Sequence, residues 1–165
     1  MKHVDKYSIT AFVLWLASFV IYLNYYDILI PGIPDGSYRL AVGTLFVIPA
    51  FILSVGQLLI GTFIIFAAAY LFKGREHVTR SFFVSAVVVF LFSLTYVIFP
   101  MFGPFYYIVF ATGIAPPHVL EVEIAWTLTI LAVSTLLIAK MNKIKMHDAL
   151  FTAAVTIIFI VVAAS

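Results

Sequence analysis

Residues 38–80 read YRLAVGTLFVIPAFILSVGQLLIGTFIIFAAAYLFKGREHVTR, a long apolar run that ends in a basic cluster. The run exceeds the roughly 20 apolar residues that cross about 30 Å of hydrocarbon. Backbone N–H and C=O groups at membrane depth have to be paired within their own segment, so the run predicts a membrane helix. The cluster of Lys73, Arg75 and Arg80 predicts that this helix ends in the cytoplasm.

The whole chain shares this apolar character. It is 65% hydrophobic and 10% charged, whereas soluble domains average about 45–50% apolar and about 25% charged residues. Its 165 residues predict a single integral membrane domain, residues 1–165. The absence of Cys excludes disulfides, thiolate metal sites and a Cys nucleophile. The net charge of +2 gives no support to nucleic-acid binding.

Five apolar segments predict the fold class, an all-α membrane protein built as a bundle of five transmembrane helices. Proline-containing stretches end the first and third segments and begin the fourth. The predicted spans are about residues 7–30, 45–72, 81–99, 119–139 and 148–164. The first segment follows a basic start and resembles a signal peptide, so its removal is the alternative to a retained first span.

The second segment is too long for one upright crossing, because a single helix over residues 38–72 would extend about 50 Å. Two crossings would need a polar turn, and the segment contains none. We therefore expect one crossing, with an interfacial turn from Tyr38 and a kink near Pro49. Strong tilt is the alternative.

Basic residues predict the orientation. Eight of the nine Lys and Arg residues fall in three clusters, and Arg39 is the ninth. Cytoplasmic loops carry an excess of Lys and Arg. The chain is thus predicted to be a multi-pass protein of the cell membrane, with its N-terminus in the cytoplasm and its C-terminus outside. The clusters are Lys2/Lys6, Lys73/Arg75/Arg80 and Lys140/Lys143/Lys145.

The predicted outer loop, residues 100–118, is itself apolar. Its run from Phe105 to Ile114 is too short to cross the membrane, so we predict a re-entrant or interfacial element. Its aromatic rings suit the headgroup zone. A floor for a lipid or quinone pocket is the alternative.

Small and polar residues recur at helical spacing on several predicted spans. In lipid, helices associate through close backbone approach and hydrogen bonds, and small residues permit both. A polar lumen for a solute is the alternative, for which the amide Gln57 is the most informative residue. The predicted helix-packing residues are Ser54, Gln57, Gly61, Thr127, Ser134, Thr152, Ala153 and Thr156.

Ionisable residues are missing from the middle of the predicted spans, which argues against a proton relay. Asp27, His118 and Glu121 near the outer ends are the candidates for a metal site. A helix macrodipole explains a carboxylate at a helix start without a metal. We therefore predict no metal site, no cofactor and no catalytic residue, and we expect no intrinsic enzymatic activity.

These features predict a non-catalytic accessory or structural subunit of a larger integral membrane complex, with a respiratory or oxidase-type assembly as one example. Its partners would be other integral membrane subunits and membrane lipids, contacted through the first or fifth helix. The alternative is a small homo-oligomeric transporter, channel or lipid-handling protein, which Gln57 and the apolar outer loop would favour.

Overall fold

The computed structural model describes residues 6–29, 37–75, 77–98 and 117–164, and within these ranges the chain is all-helical. This confirms the predicted all-α class for the described residues. Each helix lies over one of the predicted apolar segments. The helices are α1 (Lys6–Leu29), α2 (Ser37–Leu71), α3 (Val78–Ile98), α4 (Pro117–Asn142) and α5 (Met146–Ala164).

Four of the described helices are long and apolar enough to cross a membrane, as expected for a helical membrane protein. Their apolar stretches are Lys6–Leu23, Val47–Leu71, Val78–Thr95 and Ile124–Asn142. Helix α5 contributes the shorter stretch Met146–Val162. The five crossings therefore stay a prediction, which length and composition support for four of the helices.

Helix α2 is continuous over 35 residues and contains Pro49 in its interior. The predicted interfacial turn from Tyr38 was wrong, because the backbone is helical from Ser37. Proline removes one intrahelical hydrogen bond, but here it does not end the helix. At 1.5 Å per residue the helix is about 52 Å long, which exceeds the hydrocarbon thickness and favours the tilted alternative.

Helices α2, α3, α4 and α5 form a ring in which each packs against the next and α5 closes against α2. Helix α1 lies outside this ring, against α2 and α3. Aromatic contacts hold α1 in place: the Trp15 and Phe51 ring centroids are 5.8 Å apart, and those of Tyr7 and Phe83 are 5.6 Å apart. The main core inside the ring contains Ile65, Val84, Val88, Val89, Ile138, Ala149, Ala153 and Ile160.

The outer surface of the described bundle is apolar. Large hydrophobic side chains are exposed on every described helix, and Phe63 in the C-terminal half of α2 is 72% exposed. Contiguous apolar surface of this kind is unusual on a soluble monomer and is what hydrocarbon requires of a lipid-facing surface. The predicted apolar loop lies outside the described residues, apart from the backbone of Pro117 and His118.

Candidate functional site

A buried amide joins three helices near the middle of the bundle. The Tyr22 hydroxyl donates to Gln57 Oε1 at 2.9 Å, and Gln57 Nε2 donates to the Ile160 carbonyl at 3.2 Å. Tyr22 lies on α1, Gln57 on α2 and Ile160 on α5, and all three side chains are buried. We call these three residues the polar junction.

The polar junction has a structural role, because its hydrogen bonds connect three helices. An amide left without partners in an apolar interior costs roughly 2–7 kcal/mol, but the oxygen and the nitrogen of Gln57 each have a partner within the chain. Interhelical hydrogen bonds in membranes contribute on average about 0.6 kcal/mol each. The junction therefore fixes the positions of α1 and α5 relative to α2.

Four residues further along α2, Gly61 allows α2 and α3 to approach closely. A Cβ atom at Gly61 would collide with the Ser85 side chain and would lie 3.5 Å from Thr156 Cγ2 on α5. The Ser85 hydroxyl donates to the Leu58 carbonyl at 2.8 Å, so a hydrogen bond also joins α3 to the backbone of α2. A side chain at residue 61 would therefore require Ser85 to move away from its position between the two helices.

Seven of the eight predicted helix-packing residues are buried in the described bundle. Hydroxyl groups in this set donate to carbonyls one turn back in their own helices and so present no unpaired donor to a solute. The buried residues are Ser54, Gln57, Gly61, Ser134, Thr152, Ala153 and Thr156, and the hydroxyls with such bonds are those of Ser54, Ser134, Thr152 and Thr156.

Thr127 is the eighth predicted packing residue, and it is exposed. Its spacing places it on the same face of α4 as Ser134, which is buried, and next to Ile130, which is also buried. Among the described residues, the other helices therefore cover this face of α4 only as far as Ile130. The packing role of Thr127 stays a prediction.

Two connections meet at one end of the bundle. The Arg75 backbone N–H donates to the Asn142 carbonyl at 2.7 Å, and the Arg80 guanidinium donates to the Met141 carbonyl at 3.2 Å. Asn142 is fully buried, and its Nδ2 donates to the Ser81 hydroxyl at 3.2 Å. Sequence reasoning missed this contact, since nothing local to Asn142 indicates a partner 61 positions away.

A lysine with positive φ follows the C-terminus of each of the two helices that precede these connections, α2 and α4. Lys73 follows α2 with φ of 52°, and Lys143 follows α4 with φ of 54°. The Gly74 N–H donates to the Ala69 carbonyl at 2.8 Å and the Lys73 N–H to the Tyr70 carbonyl at 3.2 Å, which is a Schellman motif. Cations at helix C-termini are also favoured by the macrodipole.

The described members of all three basic clusters lie at this one end of the bundle. Helix α1 begins here as well, because Tyr7 packs against Phe83 near the start of α3. We call this the basic end. It contains Lys6, Lys73, Arg75, Arg80, Lys140, Lys143 and Lys145.

The candidate metal residues are only partly described. Glu121 is exposed on α4, whereas the side chains of Asp27 and His118 lie outside the described residues. Within the described ranges, no group of three His, Cys, Asp or Glu residues is placed to hold a metal ion. The lack of a metal site in the whole chain stays a prediction.

Comparison with protein-family models, with curated proteins and with solved structures finds no match. The fold defines an all-helical protein whose apolar helices are compatible with a multi-pass membrane location. Its function has to be inferred from the geometry of its own residues.

Proposed function

We propose that this chain is a non-catalytic accessory subunit of a larger integral membrane complex. It would cross the cell membrane five times, with its N-terminus in the cytoplasm and its C-terminus outside. The gathering of Lys and Arg at the basic end supports this orientation, because cytoplasmic segments carry such an excess.

The buried polar side chains favour a structural role over catalysis. Gln57 and Ser85 bond to neighbouring helices, and the buried Ser and Thr hydroxyls described above bond to their own. Catalysis needs acids, bases, nucleophiles or metal ligands held in mutual reach. The described interior instead uses these polar groups for hydrogen bonds within helices and between neighbouring helices.

The observation that carries the proposal is a face of small residues on the outside of α4. Ala125, Thr129 and Ala132 recur at helical spacing, and all three are exposed. The larger side chains of Leu128 and Leu136 are exposed on the same side of α4 and border these small residues. The Thr129 hydroxyl donates to the Ala125 carbonyl at 2.8 Å, so it is satisfied without water. We call these three residues the α4 small face.

A transmembrane helix of another subunit is the occupant that fits the α4 small face. Small residues four positions apart let two helix backbones come close, which is the main source of helix association in lipid. The exposed face of α1 instead carries Ile9, Phe12 and Leu16, which suit lipid. We therefore place the partner contact on α4, although the sequence favoured the first or fifth helix.

One observation favours the alternative, a small homo-oligomeric transporter, channel or lipid-handling protein. Thr127 faces inward by its spacing but is exposed, so the described part of the bundle leaves α4 uncovered at this position. A polar side chain in such an opening would suit a solute or lipid entry. Flux of a solute into liposomes that contain the purified chain alone would support this alternative.

Ala132→Trp is expected to lower recovery of partner subunits about tenfold when the tagged chain is purified from its native membranes in mild detergent. A Trp ring holds the partner helix away from the α4 small face, and a tenfold loss corresponds to about 1.4 kcal/mol. Val13→Trp on the exposed face of α1 is the matched control and should leave recovery unchanged. Recovery is measured by quantitative mass spectrometry.

Equal recovery with both variants would remove α4 as the contact face. A wild-type chain that purifies as a homo-oligomer without other subunits would contradict the accessory role itself.

A further inference from the structure

We propose that an open groove beside the basic end of α4 binds one anionic phospholipid of the cytoplasmic leaflet. This binding site is separate from the α4 small face. It rests on the proposed orientation of the basic end, but it does not depend on the accessory role.

The groove has an apolar wall and one cation. It has a volume of about 660 Å³, which is within the range of about 300–1,000 Å³ for small-molecule sites. Its lining is formed by the last turns of α4 and the first residue of α5. The residues are Val133, Leu136, Leu137, Ala139, Lys140 and Met146.

The charge around the groove is positive. Lys143 and Lys145, in the short connection that follows α4, are exposed as Lys140 is. The acidic residue in the first turn of α5, Asp148, lies beside His147, with 3.1 Å between Asp148 Oδ1 and His147 Nε2, and its single negative charge leaves the three lysines in excess. Basic pockets on the cytoplasmic side of membrane proteins attract anionic lipid headgroups.

The length of the groove matches one leaflet. Val133 and Lys140 are separated by about 10 Å along α4, within the roughly 15 Å that half of the hydrocarbon core provides. An acyl chain along Val133 and Leu137 would therefore bring its phosphate to the level of the lysines. The groove supplies apolar contact and the lysines supply charge, so an anionic phospholipid satisfies both.

Phosphatidylglycerol should bind the purified full-length chain more tightly than phosphatidylcholine with the same acyl chains. The headgroup of phosphatidylcholine carries its own cation, which cancels the attraction of the lysines. Each lysine near an anionic surface contributes about fivefold in affinity. Native mass spectrometry of the chain in mild detergent, titrated with either lipid, counts the bound molecules and gives their affinities.

The triple variant Lys140→Gln, Lys143→Gln, Lys145→Gln is expected to bind phosphatidylglycerol at least about tenfold more weakly. The matched control is Lys6→Gln, Lys73→Gln, Arg75→Gln, which removes the same charge from exposed positions at the same end. We expect this control to change the affinity less than about twofold. Leu136→Trp, which fills the groove and keeps all charges, should also weaken binding.

Three results would overturn the proposal. Equal weakening by the two triple variants would mean that the lipid responds to overall charge. Equal affinity for phosphatidylcholine would show that the lysines do not select the lipid. Unchanged binding by Leu136→Trp would show that the lipid does not bind in the groove. These variants lie on the exposed surface, and circular dichroism checks that each remains folded.

Discussion

Gly61→Leu is expected to lower the free energy of unfolding by about 3 kcal/mol, the upper part of the range for overpacking a filled interior. A Cβ at this position already collides with Ser85, and the remaining Leu atoms would have to enter the contact between α2 and α3. Unfolding in mixed micelles with increasing denaturing detergent, followed by circular dichroism, measures the change.

Gly56→Leu is the matched control for this prediction. Gly56 lies on the same helix, and a Cβ added there meets nothing within 4 Å. Removing a helical glycine favours the helix by up to about 1 kcal/mol, so this variant should be neutral or more stable. Equal destabilisation by the two variants would show that Gly61 is not a point of close helix approach.

A smaller substitution, Gly61→Ala, distinguishes the effect of the steric clash with Ser85 from the effect of losing the Ser85–Leu58 hydrogen bond. Gly61→Ala should force the Ser85 side chain to rotate away from the Leu58 carbonyl, to which it now donates at 2.8 Å. In a Ser85→Ala background that bond is already absent, and the added methyl should cost less. The two substitutions should therefore be non-additive, as expected for residues in contact.

Gln57→Leu is expected to lower the free energy of unfolding by about 2 kcal/mol, the largest effect after that of Gly61→Leu. The change breaks the bonds to Tyr22 and Ile160 and leaves a buried carbonyl without its side-chain donor. Tyr22→Phe removes only one of the two bonds, so we expect about half this effect. The same detergent unfolding assay measures both.

The double variant tests whether the two residues act through each other. In the Gln57→Leu background, Tyr22→Phe should lower the free energy of unfolding by about 0.6 kcal/mol less than it does in the wild-type chain. This difference is the typical contribution of an interhelical hydrogen bond in a membrane. Strict additivity would show that the contact contributes nothing. A stable Gln57→Leu variant that loses solute flux in liposomes would favour the transport alternative.

Sequence reasoning located the helix faces well, because helical spacing follows from backbone geometry alone. Gln57, Gly61, Thr152 and Thr156 were assigned to packing on that basis, and all four are buried. Gln57 was recognised, but its partner Tyr22 was not. The sequence feature that could have indicated Tyr22 is the presence of a Tyr within an apolar span, because a buried phenol usually has a hydrogen-bond partner.

The features that could not be predicted from the sequence depend on tertiary contacts between helices that are distant along the chain. The Asn142–Ser81 bond joins the last residue of α4 to the first turn of α3, which no local pattern predicts. Thr127 lies on the predicted face, but its exposure depends on where the covering helices end. Proline usually bends a helix, yet α2 remains helical through Pro49.

The proposed orientation, in which the basic end lies in the cytoplasm, underlies both the partner face and the lipid groove. The chain has no Cys, so single cysteines report their position without background. A reagent that cannot cross membranes should label a Cys placed at Asp35, Gly113 or Ser165 in intact cells. It should not label one placed at His77 or Lys143 until the membrane is permeabilised. Labelling of His77→Cys or Lys143→Cys from outside would contradict the five-crossing arrangement and the orientation derived from the basic clusters.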